Sequence, residues 1–222
     1  MKYNVEGGNL PVLICELEPG EALISESGGR SWARGNIKTE TTSYGGVGKA
    51  LGRMFTGESM FLSQYTANSP AQIAFASSFP GSIIPVELAA GQSIICQKRA
   101  FMAATHGVEL GVHFHKKLGA GFFGGEGFIM QKITGPGIAF LEIDGHAVTY
   151  DLQAGEEIVC DTGIVAMMDE TCTMRVDSVK GLKNMAFGGE GFFNTIVTGP
   201  GKVTLQTMPI AHFMSMFASS GS

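Results

Sequence analysis

The chain has little charge, little proline, no paired cysteine motif and no long apolar run. Charged residues make up 16% of its 222 residues, below the ~25% of ordinary soluble domains. Its 15 Lys+Arg are outnumbered by 20 Asp+Glu, giving a net charge of −5. That balance excludes the clustered basic face of a nucleic-acid binder and the polybasic stretch of an anionic-membrane binder. Only 8 prolines are present, so a Pro-rich low-complexity chain is excluded. Cys15, Cys96, Cys160 and Cys172 form no CxxC pair, and a reducing cytoplasm is the simplest reading. The uncharged stretch 66–86 is broken by Pro70, Pro80, Gly81 and Pro85, so no transmembrane segment is expected. Residues 1–6 carry no apolar signal-like stretch, and neither secretion nor organelle import is expected.

What the chain does have is glycine. It holds 32 glycines with 44% hydrophobic residues, about twice the usual ~7% glycine but without a collagen period. A globular chain with a substantial core follows, since a protein of this length buries roughly 70% of its unfolded surface. Much of the glycine belongs to internal repeats. Gly124 to Glu142 and Gly188 to Gln206 match at ten of 19 positions at an offset of 64. The same offset maps Gly91 onto Gly155 and Cys96 onto Cys160. A worn upstream copy contains Gly20-Glu21, Ser25, Gly57-Glu58 and Ile73-Ala74-Phe75. The predicted division is therefore three β modules, 1–80, 81–144 and 145–222, packed as one unit.

Inside each copy the apolar period is two. Val203 and Leu205 alternate with Lys202, Thr204 and Gln206, as in a half-buried strand. Ile94-Ile95-Cys96 and Ile158-Val159-Cys160 read as short buried strands. The Gly-Pro-Gly triplets at 135–137 and 199–201 suit type II turns, with proline at the second position and glycine at the third. The fold class is all-β. Short stacked strands leave edges, and pairing those edges between copies, in a closed ring, is the expected solution.

The phrase from Leu118 to Gln131, together with Phe101–Thr105, Gly107–Leu110 and Thr56–Leu62, resembles the altered-inheritance-of-mitochondria twenty-four family. The likeness runs along most of the chain in the correct order. It implies tandem modules like those of the tryptophan RNA-binding attenuation protein (TRAP), each a small double-stranded β-helix or sandwich, with three chains closing a trimeric ring. It implies no agreed activity. Mitochondrial relatives are linked to respiratory-chain and inner-membrane organisation, which implies association with a membrane or a complex.

Several residues invite a chemical role. His113-Phe114-His115 places two imidazoles at i and i+2, on one face of a regular strand and able to grip one metal. The preceding Gly107 matches the opening of a cupin motif, but Gly119 and Ala120 stand where its glutamate belongs. Exposed polar side chains are the expected role for both histidines. Glu58, Glu126 and Glu190 recur in all three copies beside glycines such as Gly125 and Gly189. A carboxylate there accepts backbone N–H bonds or pairs with a cation, so these residues are assigned to structure. The glycine clusters lack the GxxxxGK[ST] phosphate loop. Cys96 and Cys160, with Ser25 as third member, read as small buried residues rather than reactive thiols. Trp32 is expected in the core rather than at an interface. No catalytic residue, cofactor or metal is assigned, and no protein partner is named beyond further copies of the chain. The leading expectation is a non-enzymatic, cytoplasmic ring-forming scaffold or assembly protein. The alternative is a cupin-like metal or small-molecule binding protein using His113 and His115.

Overall fold

The computed structural model describes residues 1–43, 61–116, 128–178, 193–210 and 213. The protein is all-β, with antiparallel strands and a short 3-10 turn at Lys98–Ala100. In chain order the strands are β1 (Lys2–Glu6), β2 (Val12–Leu17), β3 (Ala22–Glu26), β4 (Trp32–Arg34), β5 (Ile37–Ser43), β6 (Phe61–Ala67), β7 (Ala71–Ala76), β8 (Gly81–Leu88), β9 (Ser93–Gln97) and β10 (Phe101–Thr105). They continue as β11 (Glu109–Lys116), β12 (Phe128–Thr134), β13 (Gly137–Asp144), β14 (Ala147–Leu152), β15 (Glu157–Asp161), β16 (Val165–Asp169), β17 (Thr173–Ser178), β18 (Phe193–Thr198) and β19 (Gly201–Gln206). No helix among the described residues is long and apolar enough to cross a membrane.

Strand pairing follows a rule of six. The triple β2-β7-β4 is followed by β8-β13-β10 and β14-β19-β16, and the triple β5-β6-β3 by β11-β12-β9 and β17-β18-β15. Two six-stranded sheets form where β3 pairs with β10 and where β9 pairs with β16. A four-stranded sheet β1-β2-β7-β4 and a three-stranded sheet β15-β18-β17 complete the set.

Compactness divides the chain differently from sequence similarity. One compact unit comprises 1–90, 101–108 and 135–142; the other comprises 91–100, 109–134 and 143–222. Strands of segment 81–144 are thus shared between the two. In the first unit the four-stranded sheet packs face to face on the sheet β5-β6-β3-β10-β13-β8. Leu13, Ile73 and Phe75 from one side meet Leu23, Tyr65, Ala103 and Phe140 from the other, and Tyr3 stands edge-on to Phe140 with centroids 5.0 Å apart. In the second unit the sheet β11-β12-β9-β16-β19-β14 packs on β15-β18-β17 through Ile95, Phe128, Met130, Met168, Val176 and Val197.

Local sequence explains several placements. Pro85 lies within β8, at the outer edge of its sheet, where a missing N–H breaks no ladder bond. The Gly-Pro-Gly corners differ from the expected type II turn, because the Gly135–Pro136 and Gly199–Pro200 bonds are cis. Type II geometry has trans bonds, and cis-proline belongs to another turn class. Type II character is found instead at Glu18-Pro19-Gly20-Glu21, where Glu21 N donates to Glu18 O at 3.0 Å and Gly20 has φ +87°. Gln153-Ala154-Gly155-Glu156 repeats it, with the same 3.0 Å bond and φ +80°. Each turn is latched by its own glutamate: Glu18 N donates to Glu21 Oε2 at 2.9 Å, and Gln153 N to Glu156 Oε2 at 2.8 Å.

Candidate functional site

His113 lies on β11, which pairs with β12 in the second unit. Val112 is opposite Gln131 and Phe114 is opposite Met130, so His113 is the extra residue of a β-bulge. The register resumes with His115 opposite Ile129. A bulge interrupts the two-residue alternation, so the regular-strand argument that set both imidazoles on one face does not apply. Among the described residues no three His, Cys, Asp or Glu side chains come together as a metal site.

His113 is exposed, and its neighbourhood is a surface ion-pair group. Lys132 on β12 pairs with Glu170, the residue after β16. Ser93 Oγ and Thr134 Oγ1 share a hydrogen bond of 2.9 Å. The hydrogen bond from Lys132 is the main cause that holds the Glu170 carboxyl below its ordinary range, with smaller contributions from Ser93 and the charge of His113. Exposed pairs of this kind contribute little to stability. They also lack the two contrasting environments that acid–base catalysis requires. A second exposed pair, Arg175 with both Glu157 oxygens at 2.7 and 3.1 Å, lies on the three-stranded sheet.

The buried polar side chains of the second unit are three glutamines, Gln97, Gln131 and Gln206, with Thr195 and Thr204. Gln97 Nε2 donates to the carbonyls of Gly163 and Val165 at 2.8 and 2.6 Å, and Gln206 Nε2 donates to Gly163 O at 2.7 Å. Gln206 Oε1 accepts from Asp144 N at 3.0 Å. These two side chains tie strand ends together and satisfy their own polar atoms, as most buried polar groups do. A signal was present, because Gln97 and Gln131 each close an otherwise apolar run, Ile-Ile-Cys-Gln and Phe-Ile-Met-Gln.

Cys96 and Cys160 occupy equivalent structural positions, shared with Ser25, although Cys160 is half-buried and not buried as expected. Ser25 pairs with Ser63, Cys96 with Gln131 and Cys160 with Thr195. None of the four cysteines is in a disulfide. Burial pushes Cys15 up to about 12 and, with Asp161 adding to it, Cys160 up to about 11. Desolvation first, then Asp169, also raises Cys172. The thiolate is the nucleophile, so a rise of this size leaves these cysteines inert near neutral pH. Iodoacetamide at pH 7.5, followed by intact-mass measurement, is expected to leave Cys15 and Cys160 unmodified while added glutathione is consumed. Rapid labelling of either in the folded protein would contradict this.

Trp32 corrects a sequence expectation. It lies on β4 at the edge of its sheet and is 45% exposed, not buried in the core. Its strand is only three residues long and pairs on one side alone. Glu58, Glu126, Glu190, Gly125 and Gly189 lie outside the described residues. The role expected of those glutamates is played elsewhere by Glu142, whose Oε1 accepts from Ser78 N at 2.7 Å and Phe79 N at 3.1 Å.

Comparison with known proteins bears on the whole chain. The family model described as Mitochondrial biogenesis AIM24 matches residues 3–208. An uncharacterised protein of Streptococcus pyogenes serotype M6 is 26% identical over 222 residues, 96% of this chain and 88% of that one. The crystal structure of another Streptococcus pyogenes protein superposes with a TM-score of 0.79 at 20% identity, covering 99% of both chains. That likeness speaks for the fold. The extent of the family match decides the affiliation: the chain belongs to the AIM24 mitochondrial biogenesis family.

Proposed function

We propose that this protein is a non-enzymatic scaffold or assembly protein, made of three tandem TRAP-like modules and closing with two further copies into a trimeric ring. The observation that carries the reading is the rule of six in strand pairing. Each triple of strands recurs three times, and successive triples are joined by β3 with β10 and by β9 with β16. One strand of each joining kind then stands at a sheet edge, β4 at the start of the series and β15 at its end. Such a series is head-to-tail, and head-to-tail contacts give closed rings when the rotation closes. The residues around His113 and the raised thiols support a structural role over a chemical one. Four cysteines outside any disulfide support a reducing, cytoplasmic setting, and the net charge of −5 argues against RNA as the partner. Negative-stain images of the full chain are expected to show closed particles with rotational symmetry. A uniform field of single-chain particles would overturn the ring.

A further inference from the structure

The two unjoined strands carry exposed apolar side chains, Val159 and Trp32, at positions that are buried in their counterparts. On β15, Val159 is 56% exposed. Its counterparts are Ile95, 64 residues earlier on β9, and Ile24 on β3; they are 0% and 3% exposed. On β4, Trp32 is 45% exposed. It is opposite Ala74 on β7, as Ala104 is opposite Ala139 and Met168 is opposite Val203. Ala104 and Met168 are 0% and 2% exposed. The exposure goes with the pairing: β3 pairs with β10 and β9 with β16, whereas β15 and β4 each stand at a sheet edge.

The two joined pairs also share one register. Ala104 is opposite Ile24, and Met168 is opposite Ile95, both in antiparallel pairing. Resting on the ring reading above, we propose that β4 of a second copy pairs antiparallel with β15 in this same register, setting Trp32 of one copy opposite Val159 of the next. The neighbouring residues follow from it. Ser31 falls opposite Cys160, and Ala33 opposite Ile158. Arg34 falls opposite Glu157, in the place where Glu170 meets Ser93 within the chain. The charges at that end are opposite, and the central pair puts a large aromatic ring on a β-branched side chain, a favoured cross-strand combination. The occupant is a second copy because both halves of the contact are on this chain. An unpaired apolar edge is otherwise a template for indiscriminate pairing.

The test uses the full chain in a Cys160→Ser background. Carrying Trp32→Cys and Val159→Cys together, the assembled protein is oxidised with copper phenanthroline and run on a denaturing, non-reducing gel. A ladder of covalent multimers is expected. The shifted pair Trp32→Cys with Asp161→Cys is expected to give far less. As a second variant, Val159→Asp is expected to abolish assembly by light scattering while leaving the far-ultraviolet circular dichroism unchanged, because that side chain is exposed in the single chain. An assembled protein with no ladder, a ladder of equal strength from the shifted pair, or a disulfide confined to single chains would overturn this register and leave the ring standing. A parent protein that remains a single chain in solution would overturn the ring itself.

Discussion

Phe75→Ala is expected to destabilise the protein by about 3–5 kcal/mol, a large share of the ~5–15 kcal/mol that separates a folded domain from its unfolded chain. Phe75 lies on β7 with no exposed surface, directly opposite Leu13 on β2. Its ring meets Tyr65 of the facing sheet edge-on, with centroids 6.0 Å apart. Removing it empties the middle of the sandwich, and two β-sheets held by many cross-strand bonds collapse poorly onto a void. Both the lost burial and the remaining cavity therefore count. Phe75→Leu keeps most of the volume and is expected to cost less than half as much. Urea denaturation followed by tryptophan emission measures both. Equal effects from the two substitutions would mean that packing at this position is not what holds the first unit together.

Gly199→Ala is expected to cost about 2–3 kcal/mol, at the upper end for overpacking by one methyl group. A methyl carbon built there would lie 2.5 Å from the Gln153 carbonyl oxygen and 2.8 Å from that of Leu152. Both obstacles are backbone, so no side chain can swing aside. The position is one at which the chain passes close to itself, and this accounts for its glycine. Gly155 is the contrasting case. It has open space around it but φ +80°, so Gly155→Ala is expected to cost about 1 kcal/mol through backbone strain alone. Gly111 on β11 has open space and no positive φ, so Gly111→Ala is expected to be neutral or slightly stabilising. Thermal melts of the three variants check the order. Gly111→Ala as damaging as Gly199→Ala would contradict the steric explanation.

The strands were legible because their apolar runs are short and their turns recur, but burial departs from the expected pattern: Thr204 and Gln206 are buried beside Val203, and Val159 in the run 158–160 is exposed. The run Val12–Leu17 alternates in burial although Glu16 is its only polar residue, and the repeat offset of 64 is also the offset of the equivalent residues Ala104 and Met168. Other features were not legible, for physical reasons. Gly-Pro-Gly is compatible with two turn classes, and nothing local to residues 135–137 selects the cis bond over the trans one. The bulge at His113 is set by how β11 meets β12, which is a property of the pair and not of the segment His113–His115. Trp32 has an apolar identity that suits a core, yet it lies on β4, which is an edge strand with a neighbour on one side alone. The candidate site fared worse than the fold for a related reason. A repeated glutamate announces that a position matters in every copy, but its spacing says nothing of what it touches. The burial of Gln206 is not legible, because it closes a run in which polar and apolar residues alternate, and such a glutamine looks the same in sequence whether water or a carbonyl satisfies it.

The account rests on a chain that continues its own strand series into the next copy. Light scattering on the untagged full chain at micromolar concentration tests that most directly. A single species of three times the 23.4 kDa chain mass is the expected result. A stable species at the mass of one chain would contradict it.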